Sequence, residues 1–178
     1  MARESIDFAD LRVGAHDLWS RQWLVLTAGD YAAGEYNAMT VAWGSLGVMW
    51  NMPFAQVVVR PTRHTYGFME RFDTFTLCVF PEEHRPAVQL LGTRSGRDGD
   101  KIAASGLTPI AAIRVAAPAF DEAELILECR KIYWDNLEPR QFLHPKIEPN
   151  YPEKDYHRVY FGRIVAIAGE PAYRRPRA

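Results

Sequence analysis

Short runs of β-type residues, each cut off by a breaker, recur along the whole chain and constrain its fold more than any other feature. Trp23–Ala28 (WLVLTA) ends at Gly29-Asp30. Ala38–Trp43 (AMTVAW) is closed by Gly44, Phe54–Arg60 (FAQVVVR) by Pro61, and Thr74–Phe80 (TFTLCVF) by Pro81. Glu124–Tyr133 (ELILECRKIY) alternates charged and apolar groups, and Tyr156–Ala168 (YHRVYFGRIVAIA) is long and aromatic at its start. Period-two or β-branched segments bounded by Gly and Pro read as strands. Helical signals are few and short. Thr65–Arg71 makes one or two turns. Glu82–Leu91 opens behind Pro81 and stops at Gly92, and Gly99–Ser105 has Asp98 as N-cap and Gly106 as its stop. Asn136–Pro152 carries four prolines, at 139, 145, 149 and 152, and reads as an irregular loop or lid. Six or seven strands with few helices imply a mainly antiparallel sheet, as a sandwich or a closed barrel. Closure removes exposed edges and favours the barrel, with the helices between about 82 and 105 over one mouth.

Composition narrows the class. A chain of 178 residues predicts one domain, residues 1–178, with its core over about 20–170. Apolar residues are 48% and charged residues 24%, which excludes disorder for the bulk of the chain. Lys and Arg total 21 against 22 Asp and Glu, so no bulk basicity points to nucleic acid. The terminal Arg174, Arg175 and Arg177 read as a frayed, solvated end. Cys78 and Cys129 stand alone in apolar runs, without a CxxC, and read as buried reduced thiols. The segment MARESIDFADL is acidic and lacks the apolar stretch of a signal peptide. Residues 36–59 carry no charge, yet Asn37, Thr40, Ser45, Asn51, Pro53 and Gln56 interrupt them. Two strands joined at Asn51-Met52-Pro53 explain this stretch better than a membrane span. A cytoplasmic protein with no membrane partner is the expectation.

Four constellations carry possible chemistry. In the run Asn37–Gly44, alternation puts Asn37, Met39, Val41 and Trp43 on one face and the small Ala38, Thr40 and Ala42 on the other. That small face leaves room for a ligand, or is simply part of a buried strand. Arg60-Pro61-Thr62-Arg63-His64-Thr65 sets guanidinium groups and hydroxyls before a helix, as a phosphate monoester requires. The alternative is a solvated turn paired with Glu70 or Asp73. Residues 92–101 (GTRSGRDGDK) surround Ser95 with glycines and cations, either an anion nest or an ordinary connection. No Walker A spacing and no dinucleotide fingerprint occur there. His157 opens the last long strand, where it faces a ligand or caps a loop. Histidines at 16, 64, 84, 144 and 157 form no HxH or HExxH, so no metal site is expected. No GxSxG occurs, and neither cysteine has a base nearby in sequence. The aromatic side chains, Trp43 and Trp50 included, are expected to be mostly core.

Taken in order, NAMTVAWGSLGVMW, VVVRPTRHTY, DTFTLCVFPEE, LLGTRSGRDGDKIAASGLTP and DYHRVYFGRIVAI resemble the flavin reductase-like, FMN-binding split-barrel family, in its flavoredoxin branch. The resemblance spans about Trp23 to Ala168. It implies a six-stranded antiparallel Greek-key split barrel with a few short helices, usually a homodimer, with FMN near the dimer interface. Carried over by position, it implies that Asn37, Met39, Thr40, Ala42 and Trp43 line the flavin ring. Arg60 and Thr65 would hold the phosphate or ribityl end, with Ser95, Gly96 and Lys101 completing the phosphate site. His157 would stand beside the ring as the catalytic residue, near the hydride donor. The implied activity is NAD(P)H-dependent flavin reduction, the nicotinamide passing hydride to flavin N5 and the reduced flavin feeding a monooxygenase. The alternative is an FMN electron carrier serving a redox partner protein. A small barrel without cofactor and a reductase of another organic substrate under the Asn136–Pro152 lid are further readings.

Overall fold

In the computed structural model, which describes residues 2–176, antiparallel strands account for most of the regular structure. The strands are β1 (Glu4–Ser5), β2 (Leu24–Asp30), β3 (Glu35–Val41), β4 (Gly44–Met49), β5 (Met52–Val59), β6 (Thr74–Val79), β7 (Pro109–Ile110), β8 (Ala119–Phe120), β9 (Leu125–Asn136) and β10 (Arg158–Gly169). The helices are α1 (Ala15–Asp17), which runs into a π-turn, α2 (His64–Arg71), α3 (Arg85–Thr93) and α4 (Lys101–Ser105).

The six expected strands are present, with β4 and the short β1 added to the same sheet. The β7–β8 pair stands apart. The order across the sheet is β3-β2-β6-β9-β10-β5-β4, with β1 on β10. The neighbours β2–β6 and β10–β5 are distant in sequence, so the chain crosses over as Greek-key connections do. β3 and β4 are the two edges, yet only Ala42 and Trp43 separate them. Val41 and Gly44 are three steps apart along the chain and at most ~11 Å from each other, so the sheet must roll until its edges meet at that bend. They meet without pairing. The closed barrel favoured by the edge argument is therefore corrected to a rolled sheet left open along one seam.

Burial explains why several strands read as continuous apolar runs. Leu24, Leu26, Leu77, Val79, Leu125 and Leu127 point into the rolled interior beside Phe75, Met69 and Tyr160. The alternate residues Val25, Cys78 and Ile126 point outward into a second cluster, against Val88, Leu91, Ile102 and Phe120. These strands are covered on both faces, so period two is masked. Both cysteines are free and buried, and burial pushes the Cys78 thiol up to about 12 and Cys129 higher still.

The helix boundaries differ in detail. Pro81 is followed by a 3-10 turn before α3, and α3 runs through Gly92 to Thr93. Asp100, not Asp98, caps α4, its carboxylate accepting from Ile102 N at 3.1 Å and Ala103 N at 2.9 Å. Gly106 closes α4 at φ 74°, a left-handed conformation that favours glycine. The C-terminal arginines are not frayed as far as the described residues go. Arg174 pairs with Glu4 at 3.4 Å, and Arg175 N donates to Asp10 O at 2.7 Å. Arg177 lies outside the described residues. Among the described residues no helix is long and apolar enough to cross a membrane.

Candidate functional site

Four segments converge where β3 bends into β4: the Ala42-Trp43 bend, the turn from β5 into α2, the α3–α4 connection, and the strap at residues 137–157 that returns into β10. Three adjoining cavities lie at or beside this convergence. The first, about 220 Å³, is lined by Met39, Thr40, Ala42, Trp43, Arg60 and His157, with Arg63 at its edge. Five consecutive residues from Met39 to Trp43 contribute, so the cavity draws on both faces of the strand. The split of small and large faces expected from alternation fails here because β3 is an edge strand, paired only with β2. The hydroxyl of Thr40 donates to Val88 O on α3, so Thr40 offers the cavity its backbone and methyl.

His157 is 8% exposed. Its ring centroid lies 5.2 Å from that of Trp43, and its Nδ1 lies 2.9 Å from the Tyr151 hydroxyl. Burial, with the Arg60 charge, pushes its pKa down to about 4, so it is a neutral imidazole at pH 7. Trp43, expected in the core, is 49% exposed.

Arg60 borders this cavity, but its charge is committed elsewhere. Its Nη1 lies 2.6 Å from Asp155 Oδ1, and its Nη2 donates to Asn150 O at 2.7 Å. Its guanidinium carbon stands 4.9 Å from the Tyr151 ring centroid. Burial works against the Asp155 anion, but the Thr62 hydroxyl and Arg60 outweigh it and hold the carboxyl below its usual value. The turn is thus paired, as one reading of the sequence had it, but with Asp155 instead of Glu70 or Asp73. Arg60 braces the strap.

The second cavity, about 140 Å³, is lined by Arg63, Arg94, Arg97 and Lys101 together with Thr65 and Ser95, and no carboxylate is among its lining residues. Arg63 borders this cavity and the first one, and so joins them. Lys101 is 6% exposed and donates to Leu91 O at 2.8 Å and Arg94 O at 3.0 Å, which leaves one ammonium proton free. Burial and the Arg63 charge push its pKa down to about 8. Thr65 accepts from Asn37 Nδ2 at 2.7 Å, which ties β3 to α2 and leaves the Thr65 hydroxyl proton to donate. A cluster of cations and hydroxyls without a counter-charge suits a phosphate dianion.

The third cavity, about 480 Å³, is bordered by Asn37, Gly96 and Lys101 with Tyr36, His64 and Asp100. Gly96 has no room for a side chain. A Cβ there would stand 2.3 Å from Asn37 Oδ1 and 2.9 Å from His64 Cδ2. The glycine-rich connection therefore lies against β3 by its backbone.

All eleven residues singled out from the sequence border one of these three adjoining cavities. Arg63, Arg94, Arg97, Tyr151 and Asp155 were not among them. The arginines did stand in the two anion-suited segments. Among the described residues no group of three His, Cys, Asp or Glu could hold a metal ion.

A family model described as "Flavin reductase like domain" matches residues 17–175. The chain belongs to the flavin reductase-like domain family. Solved structures share its fold at low identity. An FMN-binding domain of a flavin reductases-like enzyme from Shewanella baltica OS155 is 17% identical, with a TM-score of 0.68 over 94% of this chain and 76% of that one. Flavoredoxin of Desulfovibrio vulgaris (Miyazaki F) is 20% identical, with a TM-score of 0.65 over 91% and 73%. Nitrilotriacetate monooxygenase component B from Bacillus cereus is 16% identical, with a TM-score of 0.66 over 85% and 71%. No curated protein matches. The mainly β, antiparallel split barrel is thus the fold of this flavin reductase-like chain. The seam of the split, at Ala42-Trp43, is where its candidate site lies.

Proposed function

We propose that this protein binds FMN and works as an NAD(P)H-dependent flavin reductase. One observation carries the reading: a cationic cavity free of carboxylates joins, through Arg63, a second cavity formed by an edge strand, Trp43 and His157. In this assignment Arg63, Lys101, Thr65 and Ser95 hold the phosphate, and Gly96 lets the connecting loop approach. Met39, Thr40, Ala42 and Trp43 border the flavin ring, with Asn37 fixing β3 to α2. Arg60 moves from phosphate ligand to brace of the strap. His157 stays beside the ring as a neutral hydrogen-bonding group. When bound, the flavin supplies the hydride chemistry, and the residues around it bind and orient.

The second reading, an FMN electron carrier, draws on the likeness to flavoredoxin and on an exposed apolar face. Trp50 is 55%, Trp134 53% and Val48 63% exposed, and the Trp50 ring centroid lies 6.0 Å from that of Tyr133. A patch of this kind marks a protein interface. The reading assigns it first to a second copy of this chain, as a homodimer, and leaves a monooxygenase or other redox protein as the downstream partner.

The test is a visible absorption spectrum of the purified protein with added FMN, repeated anaerobically after NADH and then NADPH. Bound flavin that bleaches with either nucleotide supports the reductase. Bound flavin that stays oxidised with both assigns the carrier. Protein that takes up no FMN refutes both.

A further inference from the structure

The strap carries more order than its prolines suggest. Tyr151 is 4% exposed. Its ring stacks with Phe142 at 6.0 Å and 18°, contacts Tyr156 at 5.1 Å, and receives the Arg60 guanidinium at 4.9 Å. Arg60 in turn is held by Asp155 and the Asn150 carbonyl, both in the strap. The phenol is therefore fixed from several sides, and its hydroxyl is delivered to one place, His157 Nδ1 at 2.9 Å.

A neutral imidazole has one N–H and one acceptor nitrogen, and a phenol has one proton to give. Burial raises the Tyr151 pKa, so the phenol keeps that proton. Among the described residues the hydroxyl has no other hydrogen-bond partner. If Nδ1 carried the imidazole proton, it would donate to the phenol oxygen and strand the phenol proton in a buried place. That arrangement costs the desolvation of an unmet donor, while the opposite one pairs the phenol proton and leaves only the Nε2 proton without a protein partner, on a ring that borders the first cavity. Nε2, on the far side of the ring from Nδ1, has no partner among the described residues, and the ring borders the first cavity.

We propose that Tyr151 is a positioning residue: its hydroxyl donates to His157 Nδ1 and holds His157 as the Nε2–H tautomer, a neutral hydrogen-bond donor to the ligand of the first cavity. What the donor serves rests on the flavin reading, and the tautomer does not. A neutral N–H can hydrogen-bond to a ring oxygen or nitrogen and steady negative charge there without transferring its proton. Arg60 and Asp155 support the arrangement by fixing the strap, at the expense of a phosphate role for Arg60.

The experiment is 15N NMR of the imidazole of His157 in the full chain, without and then with FMN. Wild type should show a protonated Nε2 and an accepting Nδ1 at neutral pH. Tyr151→Phe removes the donor, so the Nδ1 resonance should move to that of an unbonded acceptor. The His157 titration midpoint should also rise, because a bond that favoured the neutral ring is gone. The charged groups around it, Arg60, Arg63 and Asp155, stay in place. A protonated Nδ1 in wild type would overturn the tautomer without any variant. A Tyr151→Phe protein with unmoved Nδ1 signal and midpoint would overturn the positioning. FMN that binds yet leaves the Nε2 signal unmoved would overturn the donor role. Failure of FMN to bind would sink the flavin reading, with the tautomer result standing on its own.

Discussion

Lys101→Met separates phosphate recognition from everything else the site does. The side chains are similar in length, but the ammonium of this residue, which is only 6% exposed, is gone. In the free protein that charge is costly: its pKa falls from 10.5 to about 8 through burial and Arg63. The displacement corresponds to about 3 kcal/mol held against the charged form below pH 8. Methionine relieves that cost and gives up the bonds to the Leu91 and Arg94 carbonyls. The two effects oppose, so the free variant should unfold within about 2 kcal/mol of wild type in urea. FMN binding is different, because a phosphate gives the ammonium its missing counter-charge. A charge-assisted bond of about 1.5–3 kcal/mol predicts a Kd for FMN roughly 10- to 150-fold weaker. Riboflavin, which lacks the phosphate, should bind both proteins alike. The assay is quenching of flavin fluorescence with each ligand. A phosphate also raises the Lys101 pKa above its free value. FMN affinity in wild type should therefore be full between the second phosphate pKa of ~6 and pH 8, and decline as pH rises from about 8 toward the bound pKa, and the variant should lack this decline. Equal losses for FMN and riboflavin, or no loss for FMN, would refute the phosphate assignment.

Other consequences follow from single contacts. The folded pKa of His157, about 4, lies below its usual 6.5, so the unfolded chain takes up more protons between those values. Stability should fall on acidification from about pH 6.5 toward 4, by at most about 3 kcal/mol, less where solvent in the open cavity screens the ring. Urea unfolding at stepped pH should show a shallower slope in His157→Gln. Gly162→Ala would bring a Cβ within 2.4 Å of Phe75 Cζ and 2.8 Å of Cys129 Cβ, all in the core. A cost of about 1–3 kcal/mol is expected from overpacking, read as a lower urea midpoint, and an unchanged midpoint would show that β10 shifts freely there. Trp50→Asp places a charge in the exposed aromatic face and should convert a dimer to monomer in light-scattering chromatography. A wild-type monomer would remove the dimer from the proposal.

What could be seen in the sequence divides along the range of the forces involved. Strands such as Thr74–Val79 and Leu24–Asp30 declare themselves through β-branched residues and a terminating Pro or Gly, and these act within a few residues. β4 was harder to see because Gly44 and Gly47 sit in it. Both stand where added side chains would meet Gln56, Trp19 or Phe54, contacts made only once the sheet has rolled. The seam itself was invisible, since nothing local to Ala42-Trp43 states that the strands on either side lie at opposite edges. The arginines show the limit most clearly. Arg60 and Arg63 flank the same Pro61 turn, and either satisfies a pattern of cations before a helix. Asp155, 95 residues further on, decides between them by engaging Arg60 at 2.6 Å. That leaves Arg63 as the guanidinium that borders the first two cavities. A motif thus identifies the turn as suited to an anion, while a distant carboxylate determines which of its charges is free to bind one.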